Sequence, residues 1–178
     1  MLTTNLINRW SLLCLPLLLT GCGLTQRATD NTTSVATSIF YAQVNTLRLD
    51  FTAREALNID QRESSSLSEP VMVRVYQLKD RKRFDNAVYE QLVSGGEGML
   101  GSDLLATRDV VVKPGGDASL DMPLNEHAQF VAVAGLFRQP DMVRHQWKLV
   151  LTREELDPDV PRIIEPGNHA LTLLQEVK

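Results

Sequence analysis

Few side chains in this sequence could carry chemistry, and their spacing restricts what they can do. Two cysteines are present, Cys14 and Cys22. A thiolate is a strong nucleophile, so Cys22 is a candidate for covalent modification. The histidines His127, His145 and His169 lie far apart and never at i, i+2 or i, i+4. Metal-ligand clusters usually show such local spacing, so surface or capping roles are expected for them. No Gly-x-Ser-x-Gly elbow occurs. Gly95-Gly96-Glu97-Gly98 has the glycines of a phosphate loop but lacks the following Lys-Ser/Thr and a preceding strand, which points to a turn leaving a helix. Glu154-Glu155 and Asp157-Pro158-Asp159 lack the alternating ligands and glycine bend of a calcium loop and read as solvated turns. No catalytic residue, metal, cofactor or small-molecule substrate is expected.

Cys22 has a distinctive setting. Arg9 precedes an apolar run from Trp10 to Leu19 that holds six leucines. This is the basic n-region and apolar h-region of a secretory signal. It is too short to span a bilayer, which takes about 20 residues. Leu19-Thr20-Gly21-Cys22 follows and resembles the lipobox read by the lipoprotein signal peptidase of bacteria. Small residues at Thr20 and Gly21 let extended backbone into that peptidase. Cleavage between Gly21 and Cys22, and lipidation of Cys22, are therefore expected. Cys14 would leave with the signal, so the mature chain would have neither a free thiol nor a disulfide. Gly23 comes next, not the aspartate that typically retains such proteins at the inner membrane. The resemblance implies outer-membrane sorting, with the domain facing the periplasm.

The chain carries 18 basic and 22 acidic residues, a net charge of −4. Loss of Arg9 with the signal leaves 17 against 22, or −5. A modestly acidic surface argues against nucleic acid, which calls for a basic stripe. Residues 23–38 are rich in threonine and poor in large apolar groups, as in a flexible tether. The expected organisation is a signal at 1–21, the lipidated cysteine and tether at 22–38, and a domain at 39–178.

Within that domain, period-two alternation dominates. Leu47, Leu49 and Phe51 alternate with Arg48, Asp50 and Thr52, and Val71, Val73 and Val75 with Met72, Arg74 and Tyr76. Val110 to Val112 run into the turn signal Pro114-Gly115-Gly116, and Leu120 with Met122 suggests the return strand. The near-continuous apolar run from Phe130 to Phe137 predicts a strand buried on both faces. Trp147, Leu149 and Leu151 alternate again, and a last strand is expected at 170–174 after the turn at Pro166-Gly167. Asp80 is placed to cap one helix over about 81–93, with Phe84, Ala87, Val88 and Leu92 on one face and Gly95-Gly96 ending it. Thr152 and Glu155 have capping-box spacing for a short helical turn. Six or seven strands with one inserted helix predict an all-β, two-sheet β-sandwich, since a βαβ fold would need a helix between most strands.

The segment 53–69 is long for a connection between consecutive strands, most of which have about 2–5 residues. It contains Ala56-Leu57-Asn58-Ile59-Asp60-Gln61-Arg62-Glu63-Ser64-Ser65-Ser66-Leu67. Long loops on rigid scaffolds are disproportionately functional. An apolar pair among polar neighbours makes Leu57, Asn58 and Ile59 the centre of a candidate functional surface. The alternative is a loop whose leucines tuck back onto the sheet.

The ordered combination Leu57-Asn58-Ile59-Asp60, Pro70-Val-Met-Val-Arg74-Val-Tyr76-Gln77-Leu78-Lys79, Leu100-Gly101-Ser102-Asp103-Leu104-Leu105, Lys113-Pro114-Gly115 and Val131-Ala132-Val133-Ala134-Gly135-Leu136-Phe137-Arg138, with Trp147 downstream, resembles the TssJ family. These are the outer-membrane lipoproteins of the type VI secretion system. The resemblance implies a transthyretin-like sandwich, a non-enzymatic anchoring role, and the periplasmic C-terminal region of the inner-membrane protein TssM as partner. It also implies that the loop Ala56–Leu67 makes the contact. Competing readings are a pilotin-like lipoprotein that escorts another secretion component, and a periplasmic ligand-binding or enzymatic sandwich.

Overall fold

The alternation in the sequence is realised as eight strands: β1 (Thr46–Thr52), β2 (Val71–Leu78), β3 (Leu104–Val112), β4 (Asp117–Pro123), β5 (Phe130–Leu136), β6 (Lys148–Thr152), β7 (Arg162–Pro166) and β8 (Leu171–Leu173). The computed structural model describes residues 44–60, 62 and 67–175. The expected signal at 1–21, Cys22 and the tether at 22–38 lie outside the described residues, as do Gln61, Glu63, Ser64, Ser65 and Ser66 of the loop. The strands form two four-stranded sheets, ordered β4-β1-β7-β8 and β3-β2-β5-β6. All pairings are antiparallel except β1 with β7.

Register explains the core. Leu47 and Leu49 lie opposite Met122 and Leu120, so their side chains share one face of the first sheet. In the second sheet Val71 and Val73 lie opposite Val112 and Val110, while Val75 lies opposite Val133. These faces join in a single buried cluster. Each fully buried Leu or Val stabilises the fold by about 1.5–3 kcal/mol over exposure. Gly135 sits opposite Val73, and a Cβ there would come 2.3 Å from the Phe137 ring, so only glycine fits beneath it.

The far face of the second sheet is buried as well. Tyr76 and Leu78 point away from Val73 and Val75 yet are inaccessible to solvent. Their cover is the segment between β2 and β3, which forms α1 (Lys82–Asp85), α2 (Tyr89–Val93), α3 (Glu97–Leu100) and a 3-10 turn at Gly101–Asp103. This cover is why β5 is buried on both faces, as its apolar run predicts. The single helix expected over 81–93 is in fact two short ones. Val88 is extended, with φ −84° and ψ 156°, and its side chain is exposed. Phe84, Ala87 and Leu92 are buried as the spacing predicts.

The break has a physical cause. The Lys148 ammonium donates to the carbonyls of Phe84, Asp85 and Ala87 at 3.0, 2.7 and 3.1 Å, gathering the backbone where α1 gives way to the extended Val88. Both ends of the segment behave as the sequence suggests. The Asp80 carboxylate accepts from the Lys82 N–H at 2.7 Å. Gly95 and Gly96 close α2 with φ of 112° and 74°. The 3-10 turn Arg153–Glu155 has the expected capping box, the Thr152 N–H donating to Glu155 at 2.6 Å.

β7 is a strand that the sequence pattern does not announce. Flanked by Pro161, it offers only Ile164 and its terminal Pro166 as buried side chains, among partly or fully exposed neighbours. It is recruited by parallel pairing with β1, which no local pattern encodes. At the end where β1 begins, the buried Arg153 guanidinium gathers the carbonyls of Asn125, Ala128 and Val44 at 2.9, 2.9 and 2.8 Å. That fixes the point at which the chain joins the sandwich.

Candidate functional site

β1 runs from the Arg153 clamp at Val44 to the long loop that begins at Ala53. Seven residues at about 3.3 Å each separate these two poles by about 20 Å. The loop pole is assembled from three connections. The loop's neck is fastened to the β3–β4 turn and to β7: the Ala53 N–H donates to the Gly116 carbonyl at 3.0 Å, and Arg54 N–H to Pro166 at 3.1 Å. The Glu69 N–H donates to the Leu57 carbonyl at 3.1 Å, closing the loop on itself.

The residues expected to form the exposed centre of the loop divide. Leu57 is inaccessible to solvent and belongs to the core cluster, so here the leucine does tuck back. Asn58 is buried too. It adopts φ +51°, a left-handed conformation that asparagine tolerates better than most residues. Its amide donates to the Pro70 carbonyl at 2.9 Å, and its carbonyl oxygen accepts from the Arg138 N–H at 2.7 Å. Asn58 thus holds the β1–β2 loop to the β5–β6 connection. Ile59 is half-buried, with its N–H donating to Asn168 at 2.6 Å. Asp60 accepts from the Arg62 N–H at 2.9 Å and Nε at 3.2 Å, and from the Gln139 amide. The hydrogen bonds from Arg62 hold the Asp60 carboxyl below its usual range. Ala56, Arg62 and Leu67 are exposed.

Two further segments complete this pole, and neither was singled out by sequence reasoning. In the β7–β8 turn, His169 Nδ1 donates to the Gln139 carbonyl at 2.6 Å, which leaves Nε2 to accept from Asn168 at 2.9 Å. In the β5–β6 connection, the Asp141 carboxylate accepts the N–H groups of Val143 and Arg144 at 3.0 and 2.9 Å, and these bonds lower its pKa. A shallow hollow of about 400 Å³ lies among Gln139, Pro140, Asp141, Met142, Val143 and His169. The signal was present in the sequence: Met142-Val143 is an apolar pair set among charged neighbours, like the Leu57 region.

The other candidate chemical groups do not converge. His127 lies beside Glu126 at 3.5 Å, His145 occupies a positive-φ position, and His169 braces loops. Among the described residues no three His, Cys, Asp or Glu side chains are grouped to hold a metal ion. Asp157 accepts the N–H groups of Asp159 and Val160 at 2.7 and 2.9 Å, which makes its acidic stretch a self-contained turn. Gly96 is a packing turn: a Cβ there would come 2.9 Å from Leu92 and 3.2 Å from the Tyr76 hydroxyl. Burial pushes the Tyr76 and Tyr89 phenols up to about 12, and Tyr89 donates to the Phe137 carbonyl.

Residues 45–173 match the family described as type VI secretion lipoprotein, with VasD, EvfM and TssJ among its names. A chain in the solved structure described as the T6SS protein TssM C-terminal domain from EAEC is 43% identical, with a TM-score of 0.67, over 75% of this chain and 100% of that one. A chain in a type VI membrane complex is 44% identical, with a TM-score of 0.69, over 74% of this chain and 99% of that one. The T6SS lipoprotein TssJ1 from Pseudomonas aeruginosa shares the fold at 21% identity, with a TM-score of 0.62, over 75% of this chain and 98% of that one. No curated protein matches.

Proposed function

Because the chain belongs to the type VI secretion lipoprotein family, we propose that it is a non-enzymatic anchor, tying the type VI membrane complex to the outer membrane by binding the periplasmic C-terminal region of TssM. In this reading residues 1–21 are removed, Cys22 carries the acyl chains, residues 22–38 form the tether and residues 39–178 the periplasmic domain. The loop pole, with the exposed Ala56, Arg62 and Leu67 of the β1–β2 loop, receives TssM.

The observation that carries this reading is the polarity of β1. The described chain enters the sandwich beside Arg153 at Val44 and reaches the loop at the other end of the strand, so the loop stands apart from the point of entry. The occurrence of a 43% identical chain in a structure described by the TssM C-terminal domain supports the choice of partner. Calorimetric titration of the lipoprotein in detergent with the purified periplasmic region of TssM tests it. Saturable binding that weakens on replacing Arg62 and Leu67 is the expected result. Absence of binding, with capture of a different secretion component instead, would transfer the chain to the escorting role.

A further inference from the structure

We propose that Met142 and Val143, in the β5–β6 connection, form the apolar centre of the docking surface and are buried by the same periplasmic region of TssM; this rests on the function proposed above. Among the described residues Val143, 90% exposed, and Leu67, 63% exposed, are the most exposed large apolar side chains, and both belong to the loop pole. An isolated exposed valine needs no explanation, but two apolar side chains on adjacent loops of one pole are the pattern of an interaction site.

The turn that carries Val143 is built to hold it outward. Asp141 fixes the N–H groups of Val143 and Arg144, and its own N–H donates to the His169 carbonyl at 3.1 Å. The Leu171 N–H donates to the Gln146 carbonyl at 2.7 Å, and His145 takes a φ of +55° within the same span. A backbone held this way is already ordered before binding, so less entropy is lost when a partner covers the side chain it carries.

The occupant follows from continuity. Asn58, Asp60 and Ile59 of the β1–β2 loop are hydrogen-bonded to Arg138, Gln139 and Asn168 respectively, so the two loops and the β7–β8 turn form one continuous surface. A partner that covers the first loop meets the second.

The test is titration of the full lipoprotein in detergent with the purified periplasmic region of TssM. The proteins compared are wild type, the double variant Met142→Ser/Val143→Ser, and Leu67→Ser. The inference expects the double variant to weaken binding by roughly thirtyfold, as loss of a central apolar contact does, with its melting temperature unchanged. A double variant within twofold of wild type, while Leu67→Ser binds weakly, would overturn it and leave the proposed function standing. A double variant that alters only self-association in sedimentation would also overturn it, assigning the surface to a second copy of this chain. Failure of the wild type to bind would remove the proposed function and this inference together.

Discussion

Arg74 shows what a strand pattern can and cannot say about a single residue. Alternation correctly turns it away from Val73 and Val75, and on that basis its face reads as solvent and Arg74→Ala as nearly silent. Its side chain is only 15% exposed, because the helical segment covers that face. Nε and Nη2 donate to Asp109 at 2.6 and 2.8 Å, and Nη1 to the Leu92 carbonyl at 3.0 Å. Arg74→Ala is therefore expected to cost about 1–2 kcal/mol in urea unfolding, less than Val73→Asp, which places a charge in the core at several kcal/mol. Equal stability of Arg74→Ala and wild type would show that the guanidinium contributes nothing to holding the segment down. The Arg74 hydrogen bonds also keep the Asp109 carboxyl below its ordinary value. A depressed carboxyl contributes stability above its unfolded pKa of about 3.9 and loses it as pH falls through the lower folded value. With Asp109 39% exposed, screening limits the contribution to about 0.5–1 kcal/mol. Asp109→Asn should thus lose less stability than wild type between pH 5 and pH 2. Parallel acid losses in the two proteins would contradict this.

At the scale of elements, periodicity located every strand but β7, the capped start of the helical insert and its glycine end, because each of these is a local property. It did not reveal that the insert breaks at Asn86–Val88, because the group that stabilises the break, Lys148, lies some sixty residues further along the chain. Its ammonium sits 5.5 and 5.0 Å from the Phe84 and Trp147 ring centroids, and partial burial lowers its pKa. Lys148→Met keeps the apolar stem but leaves three carbonyls without their charged donor. It should cost about 1.5–3 kcal/mol, on the scale of hydrogen bonds to a charged group, with proteolysis first appearing in the 82–103 segment. Loss of stability without local cleavage would mean that Lys148 acts on the sandwich as a whole. The β1–β2 loop was legible by its length, yet the direction of its apolar residues was not, since a leucine among polar neighbours can serve a partner or the core equally. Leu57 serves the core. Leu57→Ala should cost about 2–4 kcal/mol by leaving a cavity, whereas Leu67→Ser should change stability by less than about 0.5 kcal/mol. Thermal melting of the two variants separates a fastening residue from an exposed one within a single loop.

For the molecule as a whole, alternation located most strands of the sandwich but neither β7 nor which ends of the strands meet. That knowledge came from the parallel β1–β7 pairing and from hydrogen bonds between loops remote in sequence, and it turns a long loop into one pole of a two-pole object. The proposed roles of the poles are separable, and Cys22→Ser separates them. The substitution removes the thiol that would accept the first lipid while leaving every described contact of the sandwich in place. A single acyl chain binds membranes only marginally, at about 0.8 kcal/mol per buried CH₂, so anchoring depends on the full set that lipidation at this cysteine begins. The variant should appear in the soluble periplasmic fraction, fail to label with palmitate, and support no type VI secretion. In solution it should melt at the wild-type temperature and bind the periplasmic region of TssM with wild-type affinity, because the docking pole lies about 20 Å along β1 from Val44, where the described chain begins. Persistent palmitate labelling would remove the lipoprotein reading of Cys22. Normal localisation loss combined with weakened binding in solution would show instead that the two poles are coupled through β1, so that what is attached at one end alters what is held at the other.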